Sequence, residues 1–253
     1  MKKLSYLLIL SGLVSVSAIA ADSPHSVAFN VGATTDYLFR GISQSQHSPA
    51  ISGGIDYSHA SGLYAGAWLS TQKWVDKAGP YKDGSNLELD VYGGYKGTAG
   101  EIGYDVGLIH YAYDGDRGAA TAGFVTPETT EAYLGLSWKM LSFKYSHTLS
   151  NYFVGWGGAG VDSKGSNYLE LNASHDLGDG WGLQGHIGHQ KVENFSNASY
   201  TDWKVGVSKD VGFGSVTLAY SDTDGEGNVG QAYRWNGKDV AKGVLVLSFS
   251  KSF

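Results

Sequence analysis

The sequence predicts an all-β chain closed into an antiparallel up-and-down transmembrane barrel of about twelve strands. Three observations lead there. Successive stretches alternate apolar with polar or small residues, the connections between them alternate short and long, and charges within the stretches keep to one parity. Side chains on a strand point alternately to opposite faces, so each stretch is a ribbon with one greasy side.

The first segment, "MKKLSYLLILSGLVSVSAIAAD", has Lys2 and Lys3, an apolar core, and then small residues up to Ala20. That is the layout of an export signal cleaved after Ala20, leaving residues 21–253 as the barrel. Ser and Gly interrupt its apolar run, which is short for a spanning helix of about 20 residues. Cleavage would remove two lysines and no acid, making the formal charge more negative than -6.

Alternating segments follow at 26–39, 50–59, 63–70, 86–95, 101–111, 130–138, 141–149, 167–175, 181–190, 201–209, 214–221 and 242–253. In the first, Val27, Phe29, Val31 and Ala33 oppose Ala28, Asn30, Gly32 and Thr34; continuing that register places Tyr37 and Phe39 outward. Short connections fall at 60–62, 96–100, 139–140, 176–180 and 210–214. Long ones fall at 41–49, 71–85, 112–129, 150–166, 191–200 and 222–241. A secreted β-sandwich also alternates, but it has no reason to order its connections short and long. A barrel with small turns at one end and loops at the other does.

Prolines and charges agree. Pro24, Pro80 and Pro127 lie in the tail or loops and Pro49 at a strand start, so no ladder loses a donor. A charge on the lipid face at the bilayer midplane costs about 2–4 kcal/mol, so strand charges should turn inward. The chain has no cysteine, which excludes a disulfide framework and thiolate metal sites. An acidic balance without a basic stripe argues against nucleic acid.

The ending "GVLVLSFSKSF" resembles the terminal strand of bacterial outer-membrane proteins, where a final Phe with alternate apolar residues upstream is read by the barrel assembly machinery. Phe253 holds that place. The stretch "DYLFRGISQSQHSPAISGGIDYSHASGLYAG", Asp36 to Gly66, resembles the start of the TorF family of outer-membrane porins, a family earlier of unknown function. The resemblance implies an outer-membrane location and a pore, and it brings no catalytic or binding residue with it.

On the residues alone, the expected pore lining is Asp36, Arg40, Asp56, Glu88, Asp90, Asp105, Glu131, Lys144, Glu170, Asp202 and Lys204, with Lys242 a further candidate. Inward carboxylates concentrate cations and repel anions. The expectation is therefore passive diffusion of small hydrophilic solutes with a weak preference for cations. The rival is a salt-bridged, non-conducting barrel acting as adhesin or receptor. Arg40 fits both, either tuning a pore or neutralising lumen acids on neighbouring strands. Inward glycines, among them Gly94, Gly107 and Gly188, are expected to leave open volume.

A lipid-modifying enzyme is the third reading, since a His-x-Ser pair can set a base beside a nucleophile. His59 and Ser61 have that spacing but fall at a short turn, while outward His110, His147 and His189 have no serine two residues on. No catalysis, cofactor or metal is expected. The loop "DTDGEGN" (222–228) has calcium-like spacing at Asp222, Asp224 and Glu226 but lacks the closing glutamate, Tyr233 standing there. The expected partners are outer-membrane lipids and lipopolysaccharide, the assembly machinery and the solutes.

Overall fold

A computed structural model describes residues 23–77, 86–114, 125–158 and 160–253; the segment read as an export signal lies outside them. Twelve antiparallel strands close on themselves. They are β1 (His25–Thr34), β2 (Ala50–His59), β3 (Leu63–Thr71), β4 (Leu87–Ala99), β5 (Ile102–Tyr113) and β6 (Thr129–Trp138). The second half is β7 (Leu141–Thr148), β8 (Asn167–Gly178), β9 (Trp181–Lys191), β10 (Tyr200–Asp210), β11 (Ser215–Thr223) and β12 (Val244–Ser252). Each pairs with its successor, and β12 returns to β1 with Gly32 opposite Ser250. An uneven sheet would leave an edge; here none remains, as a hydrocarbon solvent requires.

Strand ends meet where turn chemistry allows. Between β8 and β9 the two central residues are Asp179 and Gly180, with φ of 51° and 76°. Two left-handed residues in succession are what a type I′ hairpin needs, and Asp-Gly tolerates them. Gln190 and Asn167, by contrast, sit at the end where the long connections leave. Both described termini lie with the short turns, where Phe253 and Phe29 exchange backbone hydrogen bonds.

The faces divide as the alternation requires. Ile51, Leu245, Phe29, Val205 and Leu183 are each more than half exposed around the outside. So continuous an apolar belt has no favourable place in water and fits hydrocarbon. Inside, the expected free volume at the glycines is absent. Gly94 faces Tyr64 and Gly107 faces Tyr133 directly across the ladder, while Gly188 lies diagonal to Tyr168. A Cβ on Gly107 would stand 2.5 Å from the Tyr133 hydroxyl. Each of these glycines is the floor on which a tyrosine ring lies, so the lumen is filled where it was expected to be open.

The long connections fold over and into their end of the barrel. Ile42, Phe153, Val192, Ala198, Tyr200, Tyr233, Val240 and Ala241 form one buried apolar cluster there. Trp74, Val75, Tyr111 and Tyr113 form a second, and Phe39, Val154 and Trp235 pack against both. Burial pushes the Tyr233 phenol's pKa up, and its hydroxyl donates to the Ala198 carbonyl. Apolar loop residues that the sequence left without a role are thus the core of a plug.

Candidate functional site

The centre of the plug is the loop 35–49. β1 stops at Thr34 instead of running on to Phe39, because Asp36 turns the chain and gathers it. Its carboxylate accepts from Ser43 Oγ at 2.6 Å and Ser45 Oγ at 2.9 Å, and meets His47 Nδ1 at 2.7 Å. A small hairpin, Leu38–Phe39 against Ile42–Ser43, then projects into the lumen. Arg40 and Gly41 form its tip, with φ of 49° and 81°. A Cβ on Gly41 would lie 2.7 Å from Asp202 Cβ, so the tip fits only as glycine.

This geometry corrects the expected register. Tyr37 and Phe39 are inside: the Tyr37 hydroxyl donates to Glu88 at 3.1 Å and Phe39 stacks edge-on against Tyr111. The outward alternation of β1 does not extend past Thr34, because the chain leaves the sheet there. Arg40 also reaches farther than its neighbouring strands. It grips Glu131 on β6, five strands from β1, with both carboxylate oxygens engaged at 3.1 and 2.6 Å. Gln190 accepts a third bond at 2.7 Å. The guanidinium carbon lies 4.7, 5.6 and 4.4 Å from the ring centres of Phe39, Phe153 and Tyr168. Arg40 is 8% exposed and Glu131 0%. A planar fork suits bidentate binding and ring stacking together, which an ammonium would not.

Below the plug the lumen is polar. The Tyr92 hydroxyl donates to Asp56 at 2.6 Å, and Asn30 donates to the same carboxylate at 3.2 Å. The Tyr64 hydroxyl donates to Asp105 at 2.6 Å and touches the Tyr133 hydroxyl. Lys144 lies over the Tyr133 ring at 4.5 Å and opposite Glu170 in register. On the far wall, Asp202 accepts from Tyr168 at 2.8 Å and sits 2.9 Å from His186 Nε2. His186 Nδ1 lies 2.7 Å from Asn172, which donates to Glu170. Lys204 is next along β10 from Asp202, on the inward parity. Glu88 Oε2 and Asp90 Oδ1 are buried without a hydrogen-bond partner among the described residues.

The eleven expected lining residues therefore all face the interior, but Asp36 and Arg40 belong to an inserted loop and not to the wall. Lys242 is outside, on the long-loop rim. His186 and Lys96 are inward polar side chains that the sequence reading passed over. Both have the parity of their inward neighbours, Gln184 and Gly188 for one, Tyr92 and Gly94 for the other. The signal was the alternation itself. His59 Nδ1 lies 2.8 Å from Ser61 Oγ but also accepts from the Ser61 amide, a turn contact with no acid orienting the ring among the described residues. Asp222, Asp224 and Glu226 do not converge: Asp224 accepts from the Thr201 amide and Glu226 from Gln231. Among the described residues no His, Asp and Glu group has the geometry for a metal ion.

Residues 18–253 match the family described as "Bacterial protein of unknown function (Gcw_chp)". The chain belongs to the Gcw_chp family. No curated protein matches its sequence. Among solved structures the chain is similar to the KdgM porin, with a TM-score of 0.54 at 8% identity, covering 89% of this chain and 99% of that one. The same porin in complex with disordered oligogalacturonate gives 0.53 at 9%, over 90% and 98%. An outer membrane channel from Pseudomonas putida F1 gives 0.50 at 11%, over 98% and 100%. At such identities the likeness is one of fold, and this Gcw_chp chain shares the barrel of outer-membrane porins.

Proposed function

We propose that this Gcw_chp chain is an outer-membrane porin of the TorF kind, passing small hydrophilic solutes by diffusion with a weak preference for cations. The sign of the interior carries the reading. Among the described residues, Asp56, Glu88, Asp90, Asp105, Glu131, Glu170 and Asp202 on the walls, with Asp36 on the inserted loop, outnumber the inward basic residues Arg40, Lys96, Lys144 and Lys204. Asp56 and Glu170, inward and only partly buried, favour cation entry over anion entry. The reading includes export with cleavage after Ala20, assembly through the strand ending at Phe253, contact with lipopolysaccharide, and no catalysed reaction.

The experiment is conductance and reversal potential of the purified barrel in planar bilayers under a salt gradient. The expected outcome is a small conductance with a reversal potential of cation-selective sign; an anion-selective sign would sink the lumen assignment. A second reading has one observation in its favour. Glu131, Thr129, Thr148 and Gln190 point inward yet are 0% exposed, so the long-loop half of the lumen excludes water. A receptor or adhesin with a closed interior fits that filling. Barrels that never conduct, in bilayers where a control porin does, would favour it.

A further inference from the structure

The long-loop rim carries a cavity of about 460 Å³ that the lumen does not use. Its lining is His47, Arg234, Gly237, Lys238, Asp239 and Lys242. It forms on the seam between loop 35–49 and loop 224–243, and His47 and Lys238 bond across that seam. His47 Nδ1 meets Asp36 at 2.7 Å and its Nε2 meets the Asp239 carbonyl at 2.7 Å, tying one loop to the other. Lys238 Nζ donates to the Gln46 carbonyl at 2.9 Å across the same seam. Arg234 and Lys238 belong to one short hairpin, in which Arg234 stands opposite Asp239 and Trp235 opposite Lys238. Trp235 packs into the plug below, which roots that hairpin.

The charges do not cancel. Asp239 is the one carboxylate of the lining, and its Oδ1 already accepts from the Ala241 amide at 3.0 Å. Asp36 beneath is engaged by Ser43, Ser45 and His47. Arg234 donates one long bond to the Gly227 carbonyl and Lys238 one bond to the Gln46 carbonyl, so with Lys242 they keep further N–H donors beside a space large enough for a small ligand. A guanidinium fork and two ammonium groups around one cavity suit carboxylate or phosphate oxygens. The aromatic plug and the acidic lumen lie below, so an anion held here is not on a favourable path inward.

We propose that this cavity binds an anion bearing two or more carboxylate or phosphate groups, and retains it at the surface. The inference needs only the two loops and is independent of conduction. Its source is either a phosphorylated lipid headgroup in the same leaflet or a free acidic saccharide. The test uses the full barrel in neutral detergent, with isothermal titration calorimetry as the readout and two soluble probes, inorganic pyrophosphate and the dianion of glucaric acid. Lipopolysaccharide and its dephosphorylated form are the lipid probes.

Saturable binding of at least one probe is expected, weakened about tenfold or more in the double variant Lys238→Gln/Lys242→Gln, because charge-assisted bonds are lost. The rim variant Lys164→Gln/Lys191→Gln should bind as the parent does. Preference for phosphorylated over dephosphorylated lipopolysaccharide, lost in the cavity variant, assigns the lipid source; binding of a soluble probe alone assigns the free one. The proposal fails if no probe binds saturably, or if the two double variants lose affinity alike.

Discussion

Arg40 is the residue on which the interior turns. It is carried into the lumen on a two-residue tip and meets, in a region closed to water, the carboxylate of Glu131 and the amide of Gln190. Taking one partner from such a pair leaves a buried charge unmatched, at a cost of about 3–5 kcal/mol, far more than an exposed pair would lose. Arg40→Ala and Glu131→Ala should each lower the urea midpoint of the folded barrel. The double variant should be less destabilised than the sum of the two, since it leaves no orphan charge. If the hairpin seats through this pair, Arg40→Ala also raises conductance in planar bilayers. Additive destabilisation, or an unchanged midpoint in both singles, would show that the pair does not hold the loop.

The strands were legible because two solvents read them. Lipid outside and a polar interior impose period two along every strand, and twelve such stretches appear in the sequence with boundaries within a few residues of those found. Loop 35–49 was not legible. Asp36, Leu38 and Arg40 keep the parity of β1, so the alternation runs on past the point where the strand ends. What turns the chain inward is tertiary: Glu131 and Gln190, about 90 and 150 residues away in sequence, and the serines that collect around Asp36. Glycines were misread for a related reason, since a glycine marks a missing side chain without saying whether a neighbour fills the gap. That difference is testable within β9. Gly188→Val would put a side chain into the Tyr168 ring and should cost about 1–3 kcal/mol by overpacking. Gly185→Val, three residues earlier on the lipid face with nothing within 4 Å of its Cβ, should leave the midpoint unchanged or raise it. Equal effects at the two positions would mean that the tyrosine does not sit as described.

Across the whole barrel, water access should change along a single strand. On β7, Ser142 is partly exposed near the short turns, whereas Ser146 is 2% and Thr148 0% exposed toward the long loops. On β10, Ser208 is partly exposed while Asp202 is 2% exposed. The plug therefore closes the long-loop half of the interior, while water reaches the short-turn half beside its tyrosines, and the outer wall faces hydrocarbon. The chain has no native cysteine, so introduced thiols report cleanly. In vesicles, Ser142→Cys and Ser208→Cys should react with a membrane-impermeant thiol reagent supplied at the short-turn side. Leu89→Cys, Leu134→Cys and Val205→Cys on the lipid face should not. Thr148→Cys should be protected in the parent and become reactive when combined with Arg40→Ala, because the hairpin that covers it has lost its anchor. A freely reactive Thr148→Cys in the parent would mean that the long-loop half is open to water, and the case for a plugged lumen would fall while the barrel stood.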